Sequence, residues 1–176
     1  PTEFPKGAVL LVDKPVAWTS FDVVNKVRYL LGRRLGVKKL KIGHAGTLDP
    51  LATGLLVLCT GEYTKKLESL QATEKEYTGV ITFGATTPSF DLEKPVDATF
   101  PTAHLTDALL QEAVRQFIGD IEQVPPMFSA VKVDGRRLYK NARTGEEMEL
   151  ASRRVHIETL EVGPLRPVPP GTATEP

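Results

Sequence analysis

One acidic side chain stands in a segment suited to a reactive loop. Residues 43–51 read Gly-His-Ala-Gly-Thr-Leu-Asp-Pro-Leu, and the acid is Asp49. Gly43 and Gly46 permit unusual backbone angles and the close approach of a ligand, although they could equally serve a tight turn. A carboxylate can stabilise an electron-poor carbon as a nucleophile or accept a proton as a base. Asp49, with His44 nearby, is therefore the first candidate for chemistry.

The pair Asp49-Pro50 has a second explanation of equal weight. Asp is a preferred helix N-cap, and Pro is a preferred first helical residue. A helix starting here would be short, because Gly54 follows closely and the next residues are rich in β-formers. The sequence leaves the reactive loop and the helix cap open as alternatives.

Basic residues are concentrated in two parts of a chain whose charges balance overall. With 22 basic and 22 acidic side chains, a nucleic-acid role must rest on local patches. Between Val23 and Leu48 there is no acidic residue, and such a one-signed run favours a polyanionic partner over a solvated helix face. This first group is Lys26, Arg28, Arg33, Arg34, Lys38, Lys39 and Lys41. The second group is Lys132, Arg136, Arg137, Lys140 and Arg143.

Aromatic stacking combined with phosphate contacts is how proteins grip looped RNA, and Tyr139 lies within the second group. Tyr139 could equally be a core residue. The composition, with 41% apolar residues, is that of an ordinary globular domain. The single Cys59 has no partner for a disulfide or a cysteine-based zinc site and is expected to be buried. No apolar run predicts a membrane span or signal peptide, so a cytoplasmic protein is expected.

The elements that must position the loop are predicted from apolar periodicity and capping residues. In the first half of the chain we predict strands at 8–12, 54–60 and 75–84 and helices at 20–31 and 63–70. Thr19 and Asp22 have the spacing of a capping box, and Gly32 can end the first long helix.

In the second half, residues 85–104 are predicted to form a long connection, followed by a helix at 107–118 with Thr106 as its N-cap. A strand at Val131 and Val133 should enter a turn at 134–135, and another should cover 154–162. Five prolines in residues 164–176 disfavour regular structure there. We therefore expect an α+β (mixed α/β) domain at 1–163 and a Pro-rich segment at 164–176.

The residues from Gly43 to Leu56 closely resemble the catalytic motif of the TruB family, the bacterial tRNA pseudouridine-55 synthases. Three further segments support the resemblance, which runs from about residue 8 to 162. They are Leu11-Val-Asp-Lys-Pro15 with Thr19-Ser20, Lys75-Glu-Tyr-Thr-Gly79, and Gln123 to Lys132 continuing through Gly135-Arg-Arg-Leu-Tyr139 to Arg143. The resemblance implies a pseudouridine synthase catalytic domain with a mostly antiparallel mixed sheet flanked by helices.

The resemblance also implies a reaction. The family breaks the N1–C1′ bond of a uridine in the tRNA T loop, turns the base, and joins C5 to C1′, without a metal or other cofactor. Asp49 matches the essential aspartate, which either attacks C1′ or takes a proton from C2′. Tyr77 matches a tyrosine that stacks on the target base, and His44 matches a histidine that fills space vacated in the folded loop.

The remaining expectations concern support and partners. Lys14 and Pro15 match a motif that shapes the floor of the site, and Gly43, Gly46 and Pro50 belong to the catalytic motif. The two basic groups would hold the backbone of the tRNA T-arm stem-loop, the expected partner of a monomeric enzyme, and binding should weaken as salt is added.

One part of the family pattern is absent from the 176 residues. The family carries a later strand with a Ser/Cys-x-Lys-Gly-Thr-Tyr-Ile-Arg motif, whose arginine pairs with the catalytic aspartate, followed by an RNA-binding domain. We therefore expect an incomplete catalytic domain with an exposed sheet edge, from the first part of a longer enzyme. Two other functions stay open, namely a tRNA-binding module without catalysis and, more weakly, an aspartate-dependent hydrolase.

Overall fold

A three-stranded antiparallel sheet carries the candidate loop. The computed structural model describes residues 3–71, 74–126 and 150–168, together with the backbone of 132–133 and 136–137. Strands β1 (Val9–Lys14) and β2 (Ile42–Ala45) flank the central strand β3 (Gly54–Thr60). The residues between β2 and β3 form the loop with Asp49 at its centre. The predicted strand at 54–60 is confirmed at both ends.

Helix α1 (Ser20–Leu35) begins as the sequence predicts and ends later. The capping box is present, since Thr19 and Asp22 each bond the other's backbone N–H through their side chains. The predicted end near Gly32 is wrong, because one glycine costs a helix only about 1 kcal/mol. The helix stops instead at Gly36, which adopts the left-handed conformation with φ 65° and donates its N–H to the carbonyl of Gly32.

The core of this part lies between α1 and one face of the sheet. Its buried side chains come from the helix, from the segment before β2, and from two of the three strands: Val23, Val24, Leu40, Ile42, Leu56 and Leu58. Because side chains alternate along a strand, the opposite face carries Leu11 and Leu55, which are 69% and 65% exposed. Cys59 is fully buried, as expected.

After β3 the chain forms a 3₁₀ segment (Gly61–Lys66) and the short helix α2 (Leu67–Gln71), close to the helix predicted at 63–70. The strand predicted over 75–84 is wrong. Residues 74–83 are irregular, and Val80 and Ile81 are highly exposed. Alternation of side chains is a local pattern, whereas a strand also needs a neighbour for its backbone hydrogen bonds. No described strand pairs with this segment.

The second part of the chain begins with a small hairpin of β4 (Ala85–Thr86) and β5 (Ala98–Thr99), inside the predicted connection. Helix α3 (Asp107–Val114) continues as a 3₁₀ turn (Arg115–Phe117), so the helix predicted at 107–118 is confirmed in position. The hydroxyl of Thr106 caps it by accepting the N–H of Leu109 at 3.2 Å.

Four more short strands follow. Strand β6 (Gly119–Gln123) pairs antiparallel with β9 (Arg153–Ile157), and β7 (Lys132–Val133) pairs with β8 (Arg136–Arg137). The turn predicted at 134–135 lies outside the described residues. Strand β6 is not predicted from the sequence. The strand predicted at 154–162 ends early. Ile157 pairs with Gly119, the first residue of β6, and residues 158–162 pair with no described strand.

The chain divides into two compact units, Pro1–Thr78 and Gly79–Pro176. Helices and exclusively antiparallel strand pairs in the described residues confirm the predicted α+β class. In the described part of the chain, no helix has the length and apolar character needed to cross a membrane.

Candidate active site

Asp49 lies in a turn and does not cap a helix. The N–H of Ala52 donates to the Asp49 carbonyl at 3.1 Å, which closes one turn at residues 50–51, and β3 then begins at Gly54. The helix-cap alternative is therefore wrong. The side chain of Asp49 is exposed to solvent, so it is accessible to a substrate.

His44 lies on β2 opposite Leu58 and is half-buried. Its Nδ1 makes a short contact with the carbonyl oxygen of Gly46. A carbonyl only accepts, so in the neutral ring Nδ1 carries the hydrogen and Nε2 is left as an acceptor. Gly46 has φ 97°, a conformation that side chains disfavour, and so this contact depends on glycine.

Lys14 ends β1 with a side chain that is 0% exposed. Its ammonium donates to three backbone carbonyls, those of Pro15 at 3.0 Å, Trp18 at 2.5 Å and Pro50 at 3.3 Å. An ammonium has three hydrogens, and these bonds use all of them. Because Pro50 directly follows Asp49, the buried lysine ties the loop that carries Asp49 to the connection between β1 and α1.

Charge couples Lys14 to Asp49. Burial lowers the pKa of the Lys14 ammonium from its ordinary value of 10.5, and the negative charge of Asp49 partly opposes this shift. Burial disfavours the charged form of a lysine, whereas an opposite charge nearby favours it. The attraction is mutual, so a protonated Lys14 supports an ionised Asp49.

The other side of Asp49 is fixed by Ser20, the first residue of α1. Its side-chain oxygen accepts the N–H of Leu48 at 2.9 Å and donates to the Leu48 carbonyl at 3.2 Å. On the Pro50 side, the N–H of Ala17 donates to the Pro50 carbonyl at 2.8 Å. Both residues adjoining Asp49 are thus held by groups from the β1–α1 region.

The two hydrogen bonds of Ser20 to Leu48 are not predicted from the sequence, although the sequence contains a signal for a buried partner of this hydroxyl. Ser20, Val23, Val24 and Val27 follow the i, i+3, i+4, i+7 spacing of a core-facing helix stripe. A hydroxyl in that stripe must find a buried partner.

Comparison with known proteins identifies the family. Residues 33–168 match the model of the TruB family pseudouridylate synthase N-terminal domain. The tRNA pseudouridine synthase B of Flavobacterium johnsoniae is 57% identical over 163 residues, which cover 92% of this chain and 71% of that protein. The same-named protein of Phocaeicola vulgatus is 58% identical over 159 residues, covering 90% of this chain and 68% of the other.

The chain belongs to the TruB family. Among solved structures, a chain of the Cbf5-Nop10-Gar1 complex matches with a TM-score of 0.47 and 21% identity, over 92% of this chain and 37% of that one.

The first basic group of this TruB-family chain divides by exposure. Arg28 is half-buried and donates to the Asn25 side chain at 2.7 Å and the Ile42 carbonyl at 3.3 Å, so it anchors α1 to β2. The other six side chains are exposed, and Arg33 also stacks over the Tyr29 ring with 5.6 Å to its centre. Of the second group, Lys132, Arg136 and Arg137 lie on the paired strands β7 and β8, and Lys140 and Arg143 lie outside the described residues.

Tyr77 lies on the irregular segment after α2 and is 74% exposed. None of the described contacts places the Tyr77 ring beside Asp49. His44 lies on β2, which directly precedes the loop that carries Asp49. Across the described residues, no three His, Cys, Asp or Glu side chains are grouped so that they could hold a metal ion.

Proposed function

We propose that this TruB-family protein converts uridine to pseudouridine at position 55 in the T loop of tRNA. The observation that carries the proposal is the accessible Asp49, in a loop whose flanking residues are both held by buried polar groups. The names of the two relatives, both tRNA pseudouridine synthase B, support tRNA as the substrate.

The reaction rearranges bonds within one nucleotide. The N1–C1′ bond breaks, the base turns, and a bond forms between C5 and C1′; C5 then loses its proton and N1 gains one. Asp49 acts either by attacking C1′ or by taking a proton from C2′. Both actions require an ionised carboxylate, and the nearby positive charge of Lys14 supports that state.

The uridine must leave the folded T loop to reach Asp49. Flipping a base costs a few kcal/mol, which protein contacts have to offset. Tyr77 is proposed to stack on the flipped base, because an exposed ring is free to receive one. His44 is proposed to occupy the vacated space, with Nε2 available as an acceptor.

The exposed members of the first basic group are proposed to contact the phosphates of the T arm, together with the second group. Lys14, Pro15, Gly43, Gly46 and Pro50 are proposed as the structural frame of the site. No cofactor enters the proposed reaction. We propose that residues 1–163 belong to the catalytic domain of a monomeric, cytoplasmic enzyme and that 164–176 form a Pro-rich segment of it.

The decisive experiment is Asp49→Asn in the protein expressed from its gene in full length. A T-arm hairpin is incubated with each variant, and pseudouridine is measured after digestion to nucleosides. We expect product from the wild type and none detectable from Asp49→Asn, while Glu62→Gln, which neutralises another exposed carboxylate of the same unit, stays active.

Each other outcome identifies a different function. Equal activity in Asp49→Asn would refute the role of this residue. Free uracil as the product would indicate a hydrolase. Tight hairpin binding by the wild type with no product at all would indicate a binding module.

A further inference from the structure

Ser20 is a polar side chain buried beside the reactive loop. It is 3% exposed, although it lies at the start of a helix whose cap residues Thr19 and Asp22 are exposed. Its hydroxyl makes two hydrogen bonds, both with Leu48, which lies 28 positions further along the chain. The capping role at this helix start is filled by Thr19, so Ser20 is not needed for it.

The two hydrogen bonds restrict Leu48 more than one bond would. The hydroxyl engages both the N–H and the carbonyl of the same residue, much as a neighbouring strand does in an antiparallel pair. The plane and direction of the peptide leading into Asp49 are therefore set by the first turn of α1. Pro50 is held separately by Lys14 and Ala17.

We propose that Ser20 is a positioning residue that fixes Asp49 for the reaction through the backbone of Leu48. This inference rests on the proposed function. Ser20 does not touch the substrate in this proposal. Without its hydroxyl, the turn at Asp49 stays anchored at Pro50 and becomes loose at Leu48.

The structure supplies a matched control in Thr60. Its hydroxyl is also buried, with the residue 0% exposed, and it accepts the N–H of Ala8 at 3.0 Å and donates to the Ala8 carbonyl at 3.5 Å. Thr60 ends β3, whereas the loop with Asp49 precedes the start of β3. At the rise of an extended strand, the two ends are about 20 Å apart. Thr60→Val therefore removes the same kind of double hydrogen bond away from the loop.

The experiment compares Ser20→Ala and Thr60→Val in the full-length protein, using the T-arm hairpin. We expect Ser20→Ala to lower kcat about 10- to 100-fold with KM within about two-fold of wild type, because small misplacements of a reacting group have costs of this size. Thr60→Val should lose about as much thermal stability as Ser20→Ala and keep the wild-type kcat. Ser20→Thr, which keeps the hydroxyl, should restore most of the kcat.

Ser20→Cys is a second variant for the case in which Ser20→Ala does not fold. The cysteine thiol is a weaker hydrogen-bonding group than a hydroxyl, and its C–S bond is longer than the C–O bond of serine. We therefore expect a folded enzyme with reduced kcat. The inference is overturned if folded Ser20→Ala or Ser20→Cys keeps a wild-type kcat, or if Thr60→Val loses as much kcat as Ser20→Ala. An inactive wild type, or an active Asp49→Asn, would instead refute the proposed function on which the inference rests.

Discussion

The ammonium of Lys14 donates to the carbonyl of Pro50 over 3.3 Å, joining residues 36 positions apart. This bond connects the end of β1 to the residue after Asp49. The lysine is completely buried, so its positive charge is held inside the protein, next to the loop that carries the exposed Asp49. Burying a charge is costly unless it is well solvated by polar groups, and here three carbonyls provide that solvation.

Lys14→Met should destabilise the protein by about 1–3 kcal/mol, the usual cost of leaving buried polar groups without partners. Methionine fills similar space and offers no donor to the three carbonyls. Unfolding in urea can be followed by the fluorescence of Trp18, the only tryptophan in the sequence, whose own carbonyl loses a donor. Lys26→Met, at an exposed position of α1, is the control and should change stability by less than about 0.5 kcal/mol.

Alkaline pH should widen the stability difference between wild type and Lys14→Met. The pKa of Lys14 is lowered in the folded state, chiefly by burial, so between that lowered value and 10.5 the unfolded chain binds more protons than the folded one. Folding stability then rises with pH relative to a variant that lacks the group. The measurement is urea unfolding of both proteins at several alkaline pH values. A difference that narrows over this window would contradict the direction of the shift.

Ala17→Gly should leave the free energy of unfolding unchanged or raise it by up to about 1 kcal/mol. The left-handed conformation costs an alanine about 1–2 kcal/mol, and glycine avoids this cost but loses more backbone entropy on folding. Ala17 has φ 64° and donates its N–H to Pro50, so it holds this conformation as part of the site. Thermal unfolding measures the effect. Ala45→Gly, on β2, is the control and should be destabilising. A destabilised Ala17→Gly would show that the methyl group outweighs the backbone strain.

Helices and strands of this chain were predictable from the sequence where residues close together in sequence determine them. The strand Gly54–Thr60 is a continuous apolar run between glycines, and the start of α1 is fixed by a capping box. The wrong prediction of a strand at 75–84 and the failure to predict β6 have the same cause. Whether a segment becomes a strand depends on a partner remote in sequence, such as β9 for β6.

The candidate site was likewise predictable only in part. The types and spacing of residues 43–51 pointed to Asp49, and the motif pointed to Lys14 as a structural residue. The contacts that hold the loop join residues 28 and 36 positions apart, and only folding brings them together. The sequence also could not separate Arg28, which is bonded to Ile42 and Asn25, from the exposed cations around it.

Acid should remove the stabilisation that Asp22 gives to α1. The Thr19 hydroxyl and the Thr19 backbone N–H both bond the Asp22 carboxylate and lower its pKa below 3.8. For a carboxyl with a lowered folded-state pKa, the stabilisation is present above the unfolded pKa and is lost as pH falls through the folded value. Asp22→Ala should therefore be less stable than wild type at neutral pH, and the difference should shrink in strong acid. Unfolding of both proteins at a series of pH values tests this. A stability difference that does not change with pH would show that the charge of the Asp22 carboxylate does not stabilise α1.

Replacing Lys38 and Lys39 by alanine should weaken the binding of a T-arm hairpin and flatten its salt dependence. Both side chains are exposed between α1 and β2, so each can neutralise one phosphate. The slope of log affinity against log salt should fall by about 0.7–0.9 for each lysine, the value expected per released counterion. Fluorescence anisotropy of a labelled hairpin at several salt concentrations measures both quantities. Lys94→Ala, an exposed lysine of the other unit and outside both basic groups, should leave the slope unchanged. If the double variant has the wild-type affinity and the wild-type slope, these lysines do not contact the RNA. If its affinity falls while the slope stays unchanged, the loss of binding has a structural cause.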